Sequence, residues 1–329
     1  MSKNVLAVAL ASSFVVGFVV GCSDDGDAPA APEAPPVVIG PADPPPGADQ
    51  DASLPELNLP VEPPAPAAVD AGPDVQPSEV DPGPTLGARI WGVDEDGRLV
   101  NFRVNAAGTV SVKLITGLAT NEKLLGVDFR PANGLMYGLG SSSRIYTIDR
   151  TTGEATVVGD GAAFTPAVAG QAHGFDFNPV ADRIRLHTDV DQDLRIDPNT
   201  GKVAGVDAPL AFATGDVNEG QSPNVVGTAY TNSVNPAPAT TVLYAIDSTR
   251  DLLVRLNNPN DGMIQTLGSL GIDVDQAAGF DITGAGVAYA VLKVGPETAL
   301  YTIDLTTAAA TKVGVLGYPV GLTGIAVEP

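Results

Sequence analysis

One short pattern, a glycine followed by a β-type run, returns five times along the chain. The runs are GVDFRP, GFDFNP, GTAYTN, GFDITG and GIAVEP, and they begin at Gly126, Gly174, Gly227, Gly279 and Gly324. Consecutive starts are separated by 48, 53, 52 and 45 residues. A period of this length indicates a propeller or a solenoid, because a single unit of such a repeat cannot bury its own faces.

Each period also contains three further runs of β-branched and aromatic residues, separated by Gly, Asn, Asp and Pro. Two of these stretches nearly repeat each other, RIYTIDRTTGEATVVG at 144–159 and ALYTIDLTTAAATKVG at 299–314. Four strands per period is the composition of a propeller blade. Asp149, Asp197 and Asp304 end the third run of their periods, and Asn257 is the fourth candidate. We expect these side chains to bond the backbone two residues on and set the hairpin.

The two ends of the repeat region are complementary. Residues 88–118 supply three runs and lack the glycine-led one, whereas GIAVEP at the C-terminus has no run after it. The last strand is therefore predicted to complete the first blade, which would remove the exposed sheet edges. The sequence predicts an all-β, five-bladed β-propeller over residues 87–329.

The N-terminus has a different character. Residues 1–21 hold one basic residue, Lys3, and an apolar run from Val5 to Val20, as a secretory signal does. The run ends in Val19-Val20-Gly21-Cys22, which resembles a bacterial lipobox. The resemblance implies cleavage before Cys22, the one cysteine of the chain, and a lipid on its sulfur. Ser23 follows, and in lipoproteins of two-membraned bacteria this favours the outer membrane or the cell surface.

Residues 22–86 are predicted to be a disordered, lipid-anchored tether rich in proline and aspartate. Positions 23–86 contain 17 prolines and 13 acidic residues, without Lys, Arg or aromatic residues. Such a segment cannot bury enough apolar surface to offset its ordering entropy. Of the total charge of −22, the remaining 243 residues then carry −10. An acidic domain repels phosphate backbones, so nucleic-acid binding is disfavoured. We also expect a monomer.

Longer stretches of the repeat region resemble a known family. They are GVDFRPANGLMYGLGSSSRIYTIDRTTGEATVVG, GFDFNPVADRIRLHTD, DLRIDPNTG, AYTNS and NNPNDGMIQTLGSLG. Together they look like a bacterial extracytoplasmic family that is known as a domain of unknown function with a propeller-like repeat. The resemblance implies secretion and a repeat fold. It brings no activity and no catalytic residues.

Few residues suit nucleophilic catalysis, because the repeat region has no cysteine, two histidines and no GxSxG elbow. No catalytic residue is assigned. Arg183, Arg185 and His187 alternate along one run and should share one face of a strand. They are interpreted either as a buried ionic network with Asp182 and the nearby aspartates or as a face that binds an anion or a carboxylate.

The stretch TDVDQDLRID gives the clearest metal pattern. Asp189, Asp191 and Asp193 alternate as the first ligands of a calcium loop do, although Leu194 and Thr200 depart from the EF-hand pattern. The alternatives are a calcium site and a solvated acidic loop. Equivalent loops of other blades should open on the same face of the ring, and they would add carboxylates to a common acidic rim that favours a cation or a basic partner: Asp94, Glu95, Asp96, Asp247 and Asp251.

A second candidate site comprises Asp128, Asp176 and Asp281, the aspartates of three glycine-led runs. They are predicted either to face the central channel or to accept backbone donors between blades. Two function classes follow. The first is a binding module tethered to the envelope, whose partner is an envelope protein, a glycan or a small ligand. The alternative is a metal-assisted hydrolase or lactonase-like propeller enzyme. The weak nucleophile, base and metal signatures favour the binding module.

Overall fold

In the computed structural model, the chain is described over residues 87–329, with the backbone alone for residues 276–278. The predicted signal peptide, Cys22 and the predicted tether lie outside these residues. Within residues 87–329, twenty-one strands form five separate antiparallel sheets, with one short parallel addition. Among residues 87–329, no helix has both the length and the apolar character needed to cross a membrane.

Blade 1 is built from both ends of the described chain. Its strands are β1 (Arg89–Asp94), β2 (Arg98–Arg103), β3 (Ser111–Leu114) and β21 (Leu322–Val327), with β21 innermost. The closing pair is antiparallel, with Trp91 opposite Ala326 and Val93 opposite Gly324. The predicted five-bladed propeller, with a first blade completed by the C-terminal strand, is confirmed.

Blades 2, 3 and 5 follow the predicted four-strand order from the inside outward. Blade 2 comprises β4 (Leu124–Phe129), β5 (Met136–Gly140), β6 (Arg144–Ile148) and β7 (Ala155–Val157). Blade 3 comprises β8 (His173–Asn178), β9 (Arg183–Thr188), β10 (Asp193–Ile196) and β11 (Val203–Val206). Blade 5 comprises β17 (Gln276–Ile282), β18 (Ala288–Val294), β19 (Glu297–Ile303) and β20 (Ala310–Val315).

Blade 4 has a fifth strand that the repeat pattern does not predict. Its regular strands are β13 (Val225–Tyr230), β14 (Leu243–Asp247), β15 (Leu252–Leu256) and β16 (Met263–Ser269). The short strand β12 (Ala211–Phe212) pairs in parallel with the outer edge of β16. Phe212 is buried there among Leu210, Ile264 and their neighbours. The connection from blade 3 thus covers one sheet edge on its way to the next inner strand.

The core lies between adjacent blades. Apolar side chains of blades 1 and 2 meet around Trp91, Val127 and Tyr146, and those of blades 4 and 5 meet around Ile246, Phe280 and Tyr301. The inner strands are buried along nearly their whole length. The hydrophobic contribution to stability therefore depends on a closed ring, because an open ring would expose two of these interfaces.

The predicted turn chemistry holds in three of four blades. The Oδ1 atom of Asp149 accepts backbone N–H groups from Thr151 and Thr152. Asp197 and Asp304 make the equivalent pair of bonds in their blades. The prediction for Asn257 is wrong. Its amide donates to Gln265, because a 3-10 turn at Pro259–Asp261 replaces the short hairpin there.

Candidate functional site

The repeated glycines sit where inner strands approach the propeller axis. A Cβ atom on Gly126 would lie 2.8 Å from Phe175 Cβ, and one on Gly174 would lie 2.7 Å from the Thr228 side chain. The series continues from Gly227 to Phe280, from Gly279 to Ile325, and from Gly324 back to Gly126. Each glycine therefore makes room for the inner strand of the next blade, and about 10 Å³ of space remains at this level.

Three aspartates two residues after these glycines connect neighbouring blades. Asp128 Oδ2 accepts the backbone N–H of Phe177, Asp176 Oδ1 accepts that of Tyr230, and Asp281 Oδ2 accepts that of Val327. These bonds join blade 2 to 3, blade 3 to 4 and blade 5 to 1. Each buried donor of the receiving strand is satisfied by the preceding blade, as a buried backbone N–H requires.

The two remaining junctions have alanine at the corresponding position. Ala229 and Ala326 cannot accept a bond from the next blade, so the N–H groups of Ile282 and Phe129 need another acceptor. The other oxygens of Asp281 and Asp128 supply it, at 2.6 and 2.7 Å. Five of the six carboxyl oxygens therefore accept a backbone N–H. Among the hydrogen bonds of the described residues, none reaches the sixth oxygen, Asp176 Oδ2.

The three carboxyl groups, called here the aspartate trio, converge. One oxygen from each of Asp128, Asp176 and Asp281 lies within 4.8 Å of the other two, and all three residues are buried. Burial, with repulsion from neighbouring carboxylates, raises the pKa of Asp128 and Asp176 well above the usual value. Burial also raises the pKa of Asp281 to about 6. The trio therefore binds protons more readily than ordinary aspartate side chains do.

A cavity of about 540 Å³ opens beside two members of the trio, Asp128 and Asp281. Asp128 and Asp281 line its floor, and its wall is mainly apolar, with Phe129, Ile282 and Val327 at the ends of three inner strands. Loops from three blades form the rim. We name this space the channel-mouth cavity. It combines an enclosed apolar wall with convergent polar groups, the usual composition of a small-molecule site.

The residues that form the rim of this cavity were not predicted from the sequence. Ser233, Val234 and Asn235 come from the connection between β13 and β14, and Thr283 to Ala285 come from the connection between β17 and β18. The first connection, residues 231–242, is long for a loop within a blade. That length is the signal in the sequence that could have indicated a functional loop.

Arg183, Arg185 and His187 enter a network of ion pairs in blade 3. Arg185 is buried and donates to Asp193, Asp207, Asn260 and Tyr230. His187 is fully buried between Thr228 and Asp193, and Arg183 pairs with Asp197 near the surface. Asp182 instead pairs with Arg130 of blade 2. Arg183 and Arg185 also line a separate cavity of about 440 Å³ between blades 3 and 4.

The structure does not bring Asp189, Asp191 and Asp193 together. Asp189 accepts the backbone N–H of Gln171, Asp191 accepts from Ser222, and Asp193 turns inward to Arg185. Burial raises the pKa of Asp191, and nearby Asp247 adds to the effect. Within residues 87–329, the one group of three acidic or histidine side chains with convergent ligand atoms is the aspartate trio.

Two of the five members of the predicted acidic rim, Asp94 and Asp247, are turned inward. Asp94 is buried and accepts bonds from the backbone of Asp96 and Arg98. Burial acts to raise its pKa, but hydrogen bonds from Tyr318 and Arg98 keep the value below the usual one. Asp247 is likewise buried and holds its own turn at Thr249 and Arg250. The remaining members do not form a shared cation site in the described part of the chain: Glu95, Asp96 and Asp251.

Several solved structures resemble the chain at low identity. A nidogen/laminin complex has 14% identity and a TM-score of 0.42, and the match covers 74% of this chain and 98% of that one. Virginiamycin B lyase from Staphylococcus aureus has 12% identity and a TM-score of 0.38, over 68% and 69% of the two chains. An auxiliary nutrient binding protein from Bacteroides thetaiotaomicron has 14% identity and a TM-score of 0.37, and the match covers 61% of this chain and 55% of that one. Likenesses this weak bear on neither activity nor ligand.

Sequence comparison is more decisive about the family. No curated protein matches the chain. One family profile matches residues 98–326, which is nearly the whole propeller and well over half of the chain. The predicted resemblance to a domain of unknown function with a propeller fold is confirmed at that level. The chain belongs to the family described as Domain of unknown function (DUF4394).

Proposed function

We propose that this propeller is a binding module that holds a small ligand in the channel-mouth cavity. The observation that carries the proposal is the cavity itself: about 540 Å³, mainly apolar walls, and two buried carboxyl groups on its floor. Small-molecule sites in proteins have this size and this mixture of apolar wall and few polar groups. The rigid inner strands fix the floor, while the loops that vary between blades shape the rim.

A binding role fits these residues better than catalysis. In the described part of the chain, the residues that line the cavity include no histidine and no cysteine, so the hydroxyls of Ser233 and Thr283 have no imidazole base beside them. Both histidines lie elsewhere: His187 is buried in blade 3, and His173 lies at the glycine level of the channel.

The metal-assisted hydrolase remains the alternative function, and it would need an ion at the aspartate trio. The mainly apolar wall of the channel-mouth cavity weighs against it, because a metal ion alone would leave this surface uncovered. Metal analysis of the dialysed full-length protein tests this alternative, and a stoichiometric ion that Asp176→Asn removes would support it.

We also propose that the module is presented at the bacterial cell envelope. The support is in the sequence: a signal-like run that ends at Cys22, followed by a proline-rich acidic segment. A lipid on Cys22 would anchor the chain, at the outer membrane or the cell surface. An extended tether would hold the propeller away from the membrane, where its cavity could meet ligands from outside.

A fragment screen by thermal shift on the full-length protein tests the binding proposal. The variant Ala285→Phe places an aromatic ring into the cavity from an exposed rim position. The control Ala163→Phe adds the same ring at an exposed position in the connection between β7 and β8, away from the cavity. We expect fragments that stabilise the wild type and the control but not Ala285→Phe. If the blocked variant retains every fragment, the cavity is not the binding site.

A further inference from the structure

We infer that the channel-mouth cavity selects a small organic cation, an ammonium group carried on an apolar body. This inference rests on the proposed function and adds the chemical class of the ligand. The cavity defines the site, and the charge of its floor and the character of its walls define what fits there.

The floor carries two carboxyl groups, Asp128 and Asp281, without a cationic partner. None of the ion pairs of the described residues includes Asp128, Asp176 or Asp281. The other acidic residue of the lining, Glu328, differs because it pairs with Arg89 and Arg150. Among the described residues, the lining contains no Lys, Arg or His. Buried carboxylates are normally paired with a cation, so a cationic ligand would supply the missing partner.

One atom of the trio points more specifically to a hydrogen-bond donor. Asp176 is 1% exposed, and its Oδ2 receives no hydrogen bond from any described residue, whereas every other oxygen of the trio receives a backbone N–H. This oxygen can accept a further hydrogen bond, and the other two members of the trio, Asp128 and Asp281, line the adjoining cavity. An ammonium group could satisfy it and contact the two neighbouring carboxyl groups at the same time.

The geometry suits an ammonium group. Such a group has three N–H donors, and the trio presents three convergent oxygens. A nitrogen at a hydrogen-bond distance of about 2.9 Å from each oxygen would hold the oxygens about 4.7 Å apart. The observed limit of 4.8 Å is compatible with this arrangement. Each oxygen that accepts one backbone N–H keeps a second lone pair, which is enough for a hydrogen bond.

The walls indicate the rest of the ligand. Above its floor, the cavity is lined by Phe129, Val234, Ile282 and Val327, which offer no charge and little hydrogen bonding. A bare metal ion would leave this surface uncovered, whereas an alkyl or aryl body would bury it. The same walls and floor disfavour an anion, because its charge would face two carboxyl groups in a site of low polarity. A neutral alcohol would fill the walls but would leave the floor without a cation.

The test compares three ligands of one shape by titration calorimetry on the full-length protein: hexylammonium, hexan-1-ol and hexanoate. We expect hexylammonium to bind at least tenfold more tightly than hexan-1-ol, and hexanoate not to bind measurably. Calcium, magnesium and zinc ions are titrated in parallel. Tight, saturable binding of a metal ion that excludes hexylammonium would overturn the inference. Equal affinity for hexylammonium and hexan-1-ol would overturn it as well.

Two variants separate the charge of the trio from the general charge of the domain. Asp176→Asn removes one carboxylate, while its amide oxygen can still accept the N–H of Tyr230. Asp273→Asn removes an exposed carboxylate before β17, at the strand end away from the cavity. We expect Asp176→Asn to lose at least tenfold in hexylammonium affinity and Asp273→Asn to keep the wild-type value. Equal losses in both variants would contradict the inference.

The outcomes also separate this inference from the proposed function. If the fragment screen finds ligands that Ala285→Phe blocks but hexylammonium has no preference over hexan-1-ol, the binding module stands and the ligand class is wrong. If the screen finds no ligand that the blocked variant rejects, the proposed function itself fails.

Discussion

Asp128 Oδ2 accepts the backbone N–H of Phe177 at 2.7 Å, across the junction between blades 2 and 3. Asp128 Oδ1 accepts a second backbone N–H, that of Phe129, at the same distance. A single buried side chain therefore satisfies donors from two blades. Asp281 repeats the arrangement between blades 5 and 1, whereas Asp176 uses one oxygen. The three side chains connect neighbouring blades, and two of them, Asp128 and Asp281, also form the floor of the channel-mouth cavity.

This difference between Asp128 and Asp176 predicts that the same substitution lowers the free energy of unfolding by different amounts at the two positions. In Asp128→Asn, the new NH₂ group would face a backbone N–H, which leaves a buried donor unsatisfied. We expect a loss of about 1–3 kcal/mol in the free energy of unfolding. Asp176→Asn keeps its one acceptor and removes a repelling charge, so it should cost less than about 1 kcal/mol. Urea denaturation of both variants checks this, and equal losses would contradict the assignment of the bonds.

The glycine level of the channel predicts a strong steric effect. A Cβ atom at Gly174 would lie 2.7 Å from Thr228, which stands on the next inner strand. We expect Gly174→Ala to lower the free energy of unfolding by about 1–3 kcal/mol through overpacking. The control is Gly108→Ala, because a Cβ there would meet nothing within 4 Å. Thermal melts of both variants test the prediction, and a neutral Gly174→Ala would mean that the blades are farther apart than described.

The aspartate trio predicts that the protein is stabilised by mild acid. A carboxyl group with a raised pKa binds protons more tightly when folded, so unfolding becomes less favourable as the pH falls through that pKa. The gain levels off below the unfolded value of 3.8. With a pKa of about 6, Asp281 alone should add about 1 kcal/mol between pH 7 and pH 5.

His173 has the opposite effect on stability as the pH falls, so its contribution must be distinguished from that of the trio. Burial lowers its pKa, so its stabilising contribution is lost as the pH falls below about 6.5. The measurement is therefore the difference in Tm between the wild type and Asp176→Asn across pH 7.5 to 5. The wild type should gain more from acidification, because the variant has lost one titrating carboxyl group. Parallel Tm curves for the two proteins would be inconsistent with a trio that shares protons.

The repeat spacing was enough to predict the blades, because the same physical need recurs in each of them. A glycine is needed where neighbouring inner strands meet, and an aspartate sets the turn in several blades. Both residues therefore recur at regular intervals in the sequence. The incomplete first and last repeats likewise predicted the closing strand, β21. No such repeated pattern indicated the strand β12. It is two residues long, and its position depends on packing of Phe212 against another segment.

The candidate site was predicted less well, because side-chain direction depends on partners far along the chain. Asp128, Asp176 and Asp281 were identified from their common position, and in the structure they accept backbone donors of neighbouring blades, which was one of the two alternatives. Asp189, Asp191 and Asp193 looked like a calcium loop because their spacing is regular. Asp193 accepts a hydrogen bond from the buried Arg185, and Asp191 accepts one from Ser222, which lies in a distant connection. Such competition for a carboxylate is not visible in local spacing.

Lipid attachment at Cys22 is predicted from the residues before it, Val19 to Gly21. The variant Cys22→Ala should lose the site of attachment, so the protein should leave the detergent phase in a phase-separation assay or retain its signal peptide. The control is Ser23→Ala, which keeps the cysteine. Normal mobility and unchanged partitioning of Cys22→Ala would show that no lipid is attached there.

The claim that a cation binds against the aspartate trio is tested most directly by counting protons. An ammonium group that contacts these carboxyl groups lowers their pKa values, so binding must release protons at pH 6. An alkylammonium is fully charged at this pH and releases none itself. Titrations of hexylammonium in buffers of different ionisation enthalpy measure the number. We predict that the wild type releases between about one half and one proton for each ligand bound, and that Asp176→Asn releases fewer. A binding enthalpy that is the same in every buffer would contradict the account.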